Sequence, residues 1–358
     1  MHRRLLLAAP LVLAAFPARA VPDEASLRAL NKAVVEGAVL PGYRGFASAA
    51  GGFAAALATL AKSPGEAAPL AAARQNWAEA MLAWQAVRAL RFGPAAMFSR
   101  APRVQSWPGP GDVIGQSLDT AVRRRDATLL EVRSDTLSNV ATLGLPAAER
   151  LLFGPEAASR LAAADAEAAY RAALLGAIGA TLAAIGRDLL EAWAAGPEPF
   201  ASVMIDPRPP YAAPRDATQE LLRALQLAVR QVAGPALADA LQAGSMDRLE
   251  NWRAGLSGRA WVAQMAAARQ MFRSGFAPAL ERDGQGALAL SLGQEFDRVV
   301  LAATLPWPAE AAFGEAVPER RATLRALQQQ AAALADRLAG ELAPALGLPT
   351  GFSALPVD

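Results

Sequence analysis

The segment Gly144-Leu145-Pro146-Ala147-Ala148-Glu149 holds the carboxylate best placed to do chemistry in this chain. A glycine and a proline that start a short helix, with a glutamate three residues after the proline, put one acid close to the helix start. A second segment supplies the opposite charge. Trp77, Met81, Trp84 and Arg88 fall at i, i+4, i+7 and i+11, so one helical stripe carries two indoles and then a guanidinium. The indoles read as core. An arginine on an apolar stripe must either reach water at the helix end or meet a carboxylate, because an unpaired buried charge costs on the order of several kcal/mol.

What the chain lacks narrows the chemistry further. It has no cysteine and a single histidine, His2. His2 lies in what reads as an export signal: Met1 to Arg4 is basic, Leu5 to Phe16 is apolar, and Ala18-Arg19-Ala20 is a small-x-small cleavage site. Cleavage after Ala20 is expected, giving a soluble periplasmic chain with no membrane-spanning segment and no lipoprotein cysteine. Arg3-Arg4 suits both an ordinary Sec signal and a twin-arginine one. Disulfides, zinc fingers, thiol nucleophiles and imidazole-based triads are thereby excluded from the mature chain. Any metal must be held by carboxylates, carbonyls and water, a set that suits iron or another hard cation and not zinc. No cofactor is assigned.

Nucleic acid is excluded as a partner. Removing Arg3, Arg4 and Arg19 with the signal takes the 35 basic residues to 32 against 33 acidic ones, a net charge of −1. No basic stripe is interleaved with aromatics, and Arg123-Arg124-Arg125 runs straight into Asp126, so it reads as a solvated helix face. Thr59-Leu60-Ala61-Lys62 is only loosely like a hydroxyl–lysine dyad and reads as a helix end.

These side chains must be positioned by helices. The chain is 53% hydrophobic, rich in alanine and leucine with arginine and glutamate at three- and four-residue spacings, and it has no sustained period-2 alternation. An all-α fold follows. The expected helices include Glu24 to Leu40, Phe46 to Lys62, Asp216 to Ala243 and Met246 to Phe272, with breaks at proline–glycine clusters such as Pro41-Gly42. The stretch Gly196 to Pro214 is the most loop-like of the interior, and Pro207, Pro209 and Pro210 cannot continue a helix. The expected organisation is a signal over 1–20, an N-terminal helical lobe over 21–200, a linker over 201–215 and a C-terminal helical lobe over 216–358. Trp107-Pro108 recurs as Trp307-Pro308, a slight sign of duplication.

At residues 144–154 the sequence resembles the imelysin-like proteins, which include imelysin peptidases and iron-regulated envelope proteins. Their G-x-H-x-x-E motif and following Leu-Leu-Phe-Gly-like run are matched by Gly144, Glu149 and Leu151-Leu152-Phe153-Gly154, with Pro146 where the histidine should stand. Trp84, Arg88, Arg91-Phe92-Gly93-Pro94 and Trp107-Pro108 look like the family's first-half signature. Asp247 to Phe272 is similar to its second-half helix pair, and Gly351-Phe352 to its closing element. The resemblance implies two helical bundles outside the cytoplasm, an association with iron acquisition and, for some members, metallopeptidase activity.

Proline for histidine removes the nitrogen ligand and the imidazole base. The reading that follows is a ligand- or partner-binding protein of an iron-uptake setting, with envelope iron-uptake components as its partners, no catalytic residue, and Gly144, Glu149, Arg88, Trp107 and Arg253 as its motif and binding residues. Glu149 is the only motif candidate for a metal ligand. An active peptidase using carboxylates alone and a purely structural interaction protein are the alternatives. A carboxylate without its imidazole needs another positive group, so Glu149 is expected to be at least partly buried and bonded to an arginine, Arg88 first and Arg253 second.

Overall fold

The computed structural model describes residues 22–106, 112–131, 140–304 and 318–349. The export signal, Trp107-Pro108, Trp307-Pro308 and Gly351-Phe352 lie outside the described residues. Among the described residues there is no strand, and the fold is all-α. In chain order the first helices are α1 (Glu24–Val34), α2 (Leu40–Lys62), α3 (Ala67–Gln85), α4 (Arg100–Val104), α5 (Val113–Arg124), α6 (Leu145–Phe153), α7 (Ala157–Ala162) and α8 (Ala166–Ala194). They are followed by α9 (Phe200–Ile205), α10 (Pro214–Val232), α11 (Pro235–Ala243), α12 (Ser257–Met271), α13 (Ala277–Arg282), α14 (Gly286–Ala303), α15 (Pro318–Arg337) and α16 (Ala343–Ala345).

Helix α2 packs along α8 and α3. Small residues let α2 and α8 approach closely: a Cβ on Gly186 would lie 3.1 Å from the Cα of Ala47, and one on Gly179 would lie 3.1 Å from the Cα of Ala54. Helix α8 is long and apolar enough to cross a membrane, but 67% of its most apolar window is buried inside the protein, as befits a core helix. A second group forms around α10, which packs on α1, α12 and α15, while α14 lies against α12, α13 and α15. A buried bond network ties α1 to α10: the Asn31 amide donates to the Pro214 carbonyl at 3.0 Å, and the Thr218 hydroxyl donates to Asn31 Oδ1 at 2.8 Å.

The expected break at Pro41-Gly42 does not occur. Helix α1 continues into α2 through a π-helical turn, Val35–Val39, and Pro41 sits in the first turn after it. The same arrangement recurs where the π turn Phe272–Phe276 precedes Pro278 and where Leu338–Leu342 precedes Pro344. A π turn already replaces the i→i−4 bond that proline cannot make and widens the backbone where its ring would clash. The first two π turns meet: a Cβ on Gly37 would lie 2.6 Å from Ser274 Oγ, and one on Gly275 would lie 2.8 Å from the Leu30 carbonyl oxygen. Because α1 packs with α10 while α2 packs with α8, this single long helix belongs to both groups, and one apolar core runs through them.

Other boundaries differ for equally local reasons. The expected helix Asp216 to Ala243 divides at Gly234-Pro235 into α10 and α11. The expected helix Met246 to Phe272 begins only at Ser257, because Asn251 (φ 60°) and Gly255 (φ 63°) adopt the left-handed conformation that both residue types tolerate. Within 196–214, residues 196–199 and 206–213 are irregular as expected, but the short helix α9 forms between them.

Candidate functional site

Helix α6 carries the motif and is buried over most of its length. Its start is fixed by Gly144, whose φ of 121° and ψ of 178° are open to glycine alone. A Cβ there would lie 2.7 Å from the Arg103 carbonyl oxygen and 2.9 Å from that of Val104. Pro146 occupies the first turn, where its missing N–H leaves nothing unpaired. Helix α3 holds both ends of α6. The Trp77 indole N–H donates to the Leu145 carbonyl at 2.9 Å, Arg74 Nε donates to the Leu152 carbonyl at 2.9 Å, and the Trp77 and Phe153 rings lie 5.1 Å apart. The indole of Trp77 therefore serves as both core and clamp.

Glu149 is only 4% exposed. Its Oε1 accepts a hydrogen bond from the Ala254 backbone N–H at 3.1 Å, in the loop between Leu249 and Ser257. Burial pushes the Glu149 carboxyl up to about 7, against the opposing pull of the Ala254 N–H, the Arg253 charge and the Arg253 N–H, and Glu250 adds to the rise. The carboxyl thus stands near neutrality in an apolar setting, held by a peptide group.

Arg88 does not reach Glu149. It meets Glu250, donating from Nη2 to Oε1 at 2.9 Å and from Nη1 to Oε2 in a two-pronged pair whose side chains are 8% and 17% exposed. Arg88 Nη1 also donates to Gln85 Oε1 at 3.0 Å, Gln105 Nε2 donates to Glu250 Oε2 at 3.1 Å, and Gln85 Nε2 donates to Gln105 Oε1 at 3.3 Å. Gln85, Arg88, Glu250 and Gln105 close a ring of bonds. Of the two outcomes read for Arg88, water at the helix end or a carboxylate, the second holds, but the acid is Glu250, 162 positions away, and not the expected Glu149.

Arg253 lies on the same loop, its guanidinium 4.3 Å above the Trp252 ring, and its charge acts on both Glu149 and Arg150. Of the sequence-derived site residues, Gly144, Glu149 and Arg253 come together around α6, while Arg88 joins the loop one turn earlier through Glu250. Trp107 lies outside the described residues. Sequence reasoning missed Glu250, Gln85 and Gln105. Gln85 had a signal, three residues before Arg88 at the end of α3, whereas Glu250 had none. Thr59 makes no dyad; its hydroxyl donates to the Ala55 carbonyl at 3.2 Å.

Two openings flank this arrangement. One, of about 340 Å³, is lined by Arg88, Arg91, Arg230, Glu250, Trp261 and Gln264 among others. Burial, reinforced by the neighbouring Arg88 charge and opposed by Glu250, lowers Arg91 from its ordinary range. The other, of about 520 Å³, opens where Arg150 and Arg253 emerge beside the motif.

The chain belongs to the imelysin family, whose model (peptidase M75, imelysin) matches residues 39–338. An imelysin-like protein from Psychrobacter arcticum 273-4 shares its fold with a TM-score of 0.67 at 16% identity, over 93% of this chain and 99% of that one. A protein assigned as an iron-regulated protein A precursor, from Parabacteroides distasonis ATCC 8503, has a TM-score of 0.69 at 15% identity, over 89% of this chain and 96% of that one. Comparison with curated proteins found no match.

Proposed function

We propose that this chain is an exported, ligand- or partner-binding member of the imelysin family that acts outside the cytoplasm in an iron-uptake setting and without metallopeptidase chemistry. Its ligand is seated beside the motif helix α6, where the loop 249–256 of the second helical group meets Glu149. The observation that carries this reading is the donor set at the motif. Pro146 offers no ligand atom in place of an imidazole, and Glu149 spends one oxygen on the Ala254 N–H. Glu250 is taken up by Arg88 and Gln105. Among the described residues no group of three or more His, Cys, Asp or Glu is arranged to hold a metal ion.

These residues do not fit a catalytic zinc, which needs three protein ligands with an open position. The export reading is supported by the basic, apolar and small-x-small segments of residues 1–20 and by a structural neighbour assigned as a precursor. The iron setting is supported by that neighbour's assignment as iron-regulated. Casein digestion by protein purified from Val21 onward, with and without chelator, tests the chemistry. No chelator-sensitive cleavage is expected. Cleavage that chelator stops and Glu149→Ala abolishes would establish the competing reading, a peptidase working with carboxylate ligands alone.

A further inference from the structure

The larger opening beside the motif has a composition that the motif does not explain. Arg123 of α5, Arg150 of α6, Arg160 of α7, Arg171 of α8 and Arg253 of the 249–256 loop all line one cleft of about 520 Å³. Against five guanidiniums the lining has two carboxylates, Asp119 and Glu167. Glu167 is shared, accepting from Arg171 at 2.8 Å and Arg160 at 3.2 Å. Arg150 bonds Asp112 at the α5 N-terminus, and Arg123 donates to the Thr120 hydroxyl at 3.1 Å. Arg160 also pairs with Glu156 at 3.2 Å, so with Asp112 and Glu156 counted the five guanidiniums face four carboxylates, a small local excess of positive charge. Of the run Arg123-Arg124-Arg125, read from the sequence as a solvated face, Arg123 turns out to line the cleft.

Gathering like charges from five separate segments around one concavity raises its positive potential, because low-dielectric walls focus the field into the opening. Burial above all, and then the Arg253 charge, bring Arg150 down to about 10. An anion in the cleft would relieve that repulsion. Guanidinium forks match the planar or tetrahedral oxygens of carboxylates and phosphates, which they bind two-pronged. Leu118, Val122 and Leu151 give the wall an apolar strip for a carbon skeleton, and the volume is that of a small-molecule site.

We propose that this cleft binds a small polyanion bearing at least two carboxylate or phosphate groups. The proposal rests on the ligand-binding reading above and names the class of ligand. Both kinds of oxyanion present the same chemistry to arginine, so titration calorimetry of the mature protein with citrate and, separately, with inorganic pyrophosphate distinguishes the sources. Binding of citrate alone identifies a carboxylate site, binding of pyrophosphate alone a phosphate site, and binding of both a general oxyanion site. In each case Arg123→Gln combined with Arg253→Gln should weaken binding at least about tenfold, and the exposed Arg298→Gln, at another place on the surface, should not. Arg123 is exposed, so the single Arg123→Gln variant folds and carries the test if the double variant does not. Binding of neither anion, or binding that survives these substitutions, overturns the proposal. If that happens while casein remains uncut, the non-peptidase reading stands; chelator-sensitive cleavage lost in Glu149→Ala would sink that reading whatever the anions do.

Discussion

Replacing Glu149 by glutamine should change how the stability of this protein responds to pH. The carboxyl is raised from an ordinary value of 4.5 to about 7, chiefly by burial. Below pH 4.5 it carries its proton in both the folded and the unfolded chain and makes no pH-dependent difference. Between 4.5 and about 7 the unfolded chain releases the proton and the folded one keeps it, so this residue makes the protein less stable as pH rises. At about 1.4 kcal/mol per unit, the full span is worth about 3 kcal/mol. Glutamine keeps an oxygen for the Ala254 N–H but cannot ionise. Its amide donors bring a cost of about 1–3 kcal/mol if they find no partner, and that cost does not vary with pH. The informative quantity is therefore the difference in unfolding free energy between variant and parent, measured by urea denaturation at a series of pH values. It should move in the variant's favour by about 3 kcal/mol from about pH 4.5 to about pH 8. A difference that stays flat, or that moves against the variant as pH rises, would refute the reasoning, because it would mean that Glu149 is ionised in the folded protein, as a metal ligand would be.

Four further substitutions test the framework of the site and of the fold. Glu250→Ala leaves Arg88 buried without its partner and should cost about 3–5 kcal/mol in chemical denaturation; a loss below about 1 kcal/mol would make the pair a bystander. Gly144→Ala forces a side chain into a backbone conformation open to glycine and against the Arg103 and Val104 carbonyls, so it should cost about 1–3 kcal/mol or more, and an unchanged denaturation midpoint would contradict the described start of α6. Gly275→Ala should destabilise more than Gly37→Ala, since its Cβ meets the Leu30 carbonyl of a packed helix, whereas that of Gly37 meets the Ser274 side chain, which can turn away. Equal midpoints for those two variants would show that the contact between the π turns is loose.

The architecture was readable from the sequence to the extent that it depends on local periodicity. Alanine- and leucine-rich stretches with no period-2 run leave few choices besides helix, and the tryptophan stripe of α3 is core as its spacing implies. Pro41 is where a local rule misled, because a proline normally ends a helix and here a π turn just before it absorbs the cost. The site was legible in part. Gly144 and Glu149 stand out by type and spacing, and Arg88 could be seen to need either water or an acid. That the acid is Glu250, across 162 positions, depends on tertiary packing alone. The partner of Glu149 is a backbone N–H, which every residue except proline possesses and no residue type advertises. Arg150 was unremarkable as the neighbour of a motif glutamate until the folded chain set it beside Arg253.

The central claim is that this imelysin-family chain has given up the metal chemistry its motif would serve. Quantifying metals in protein purified from Val21 onward, after equilibration with zinc and removal of the unbound ion, tests it most directly. The account predicts zinc far below stoichiometric, with the same trace level in Glu149→Ala; one zinc per chain, lost in that variant, would contradict it.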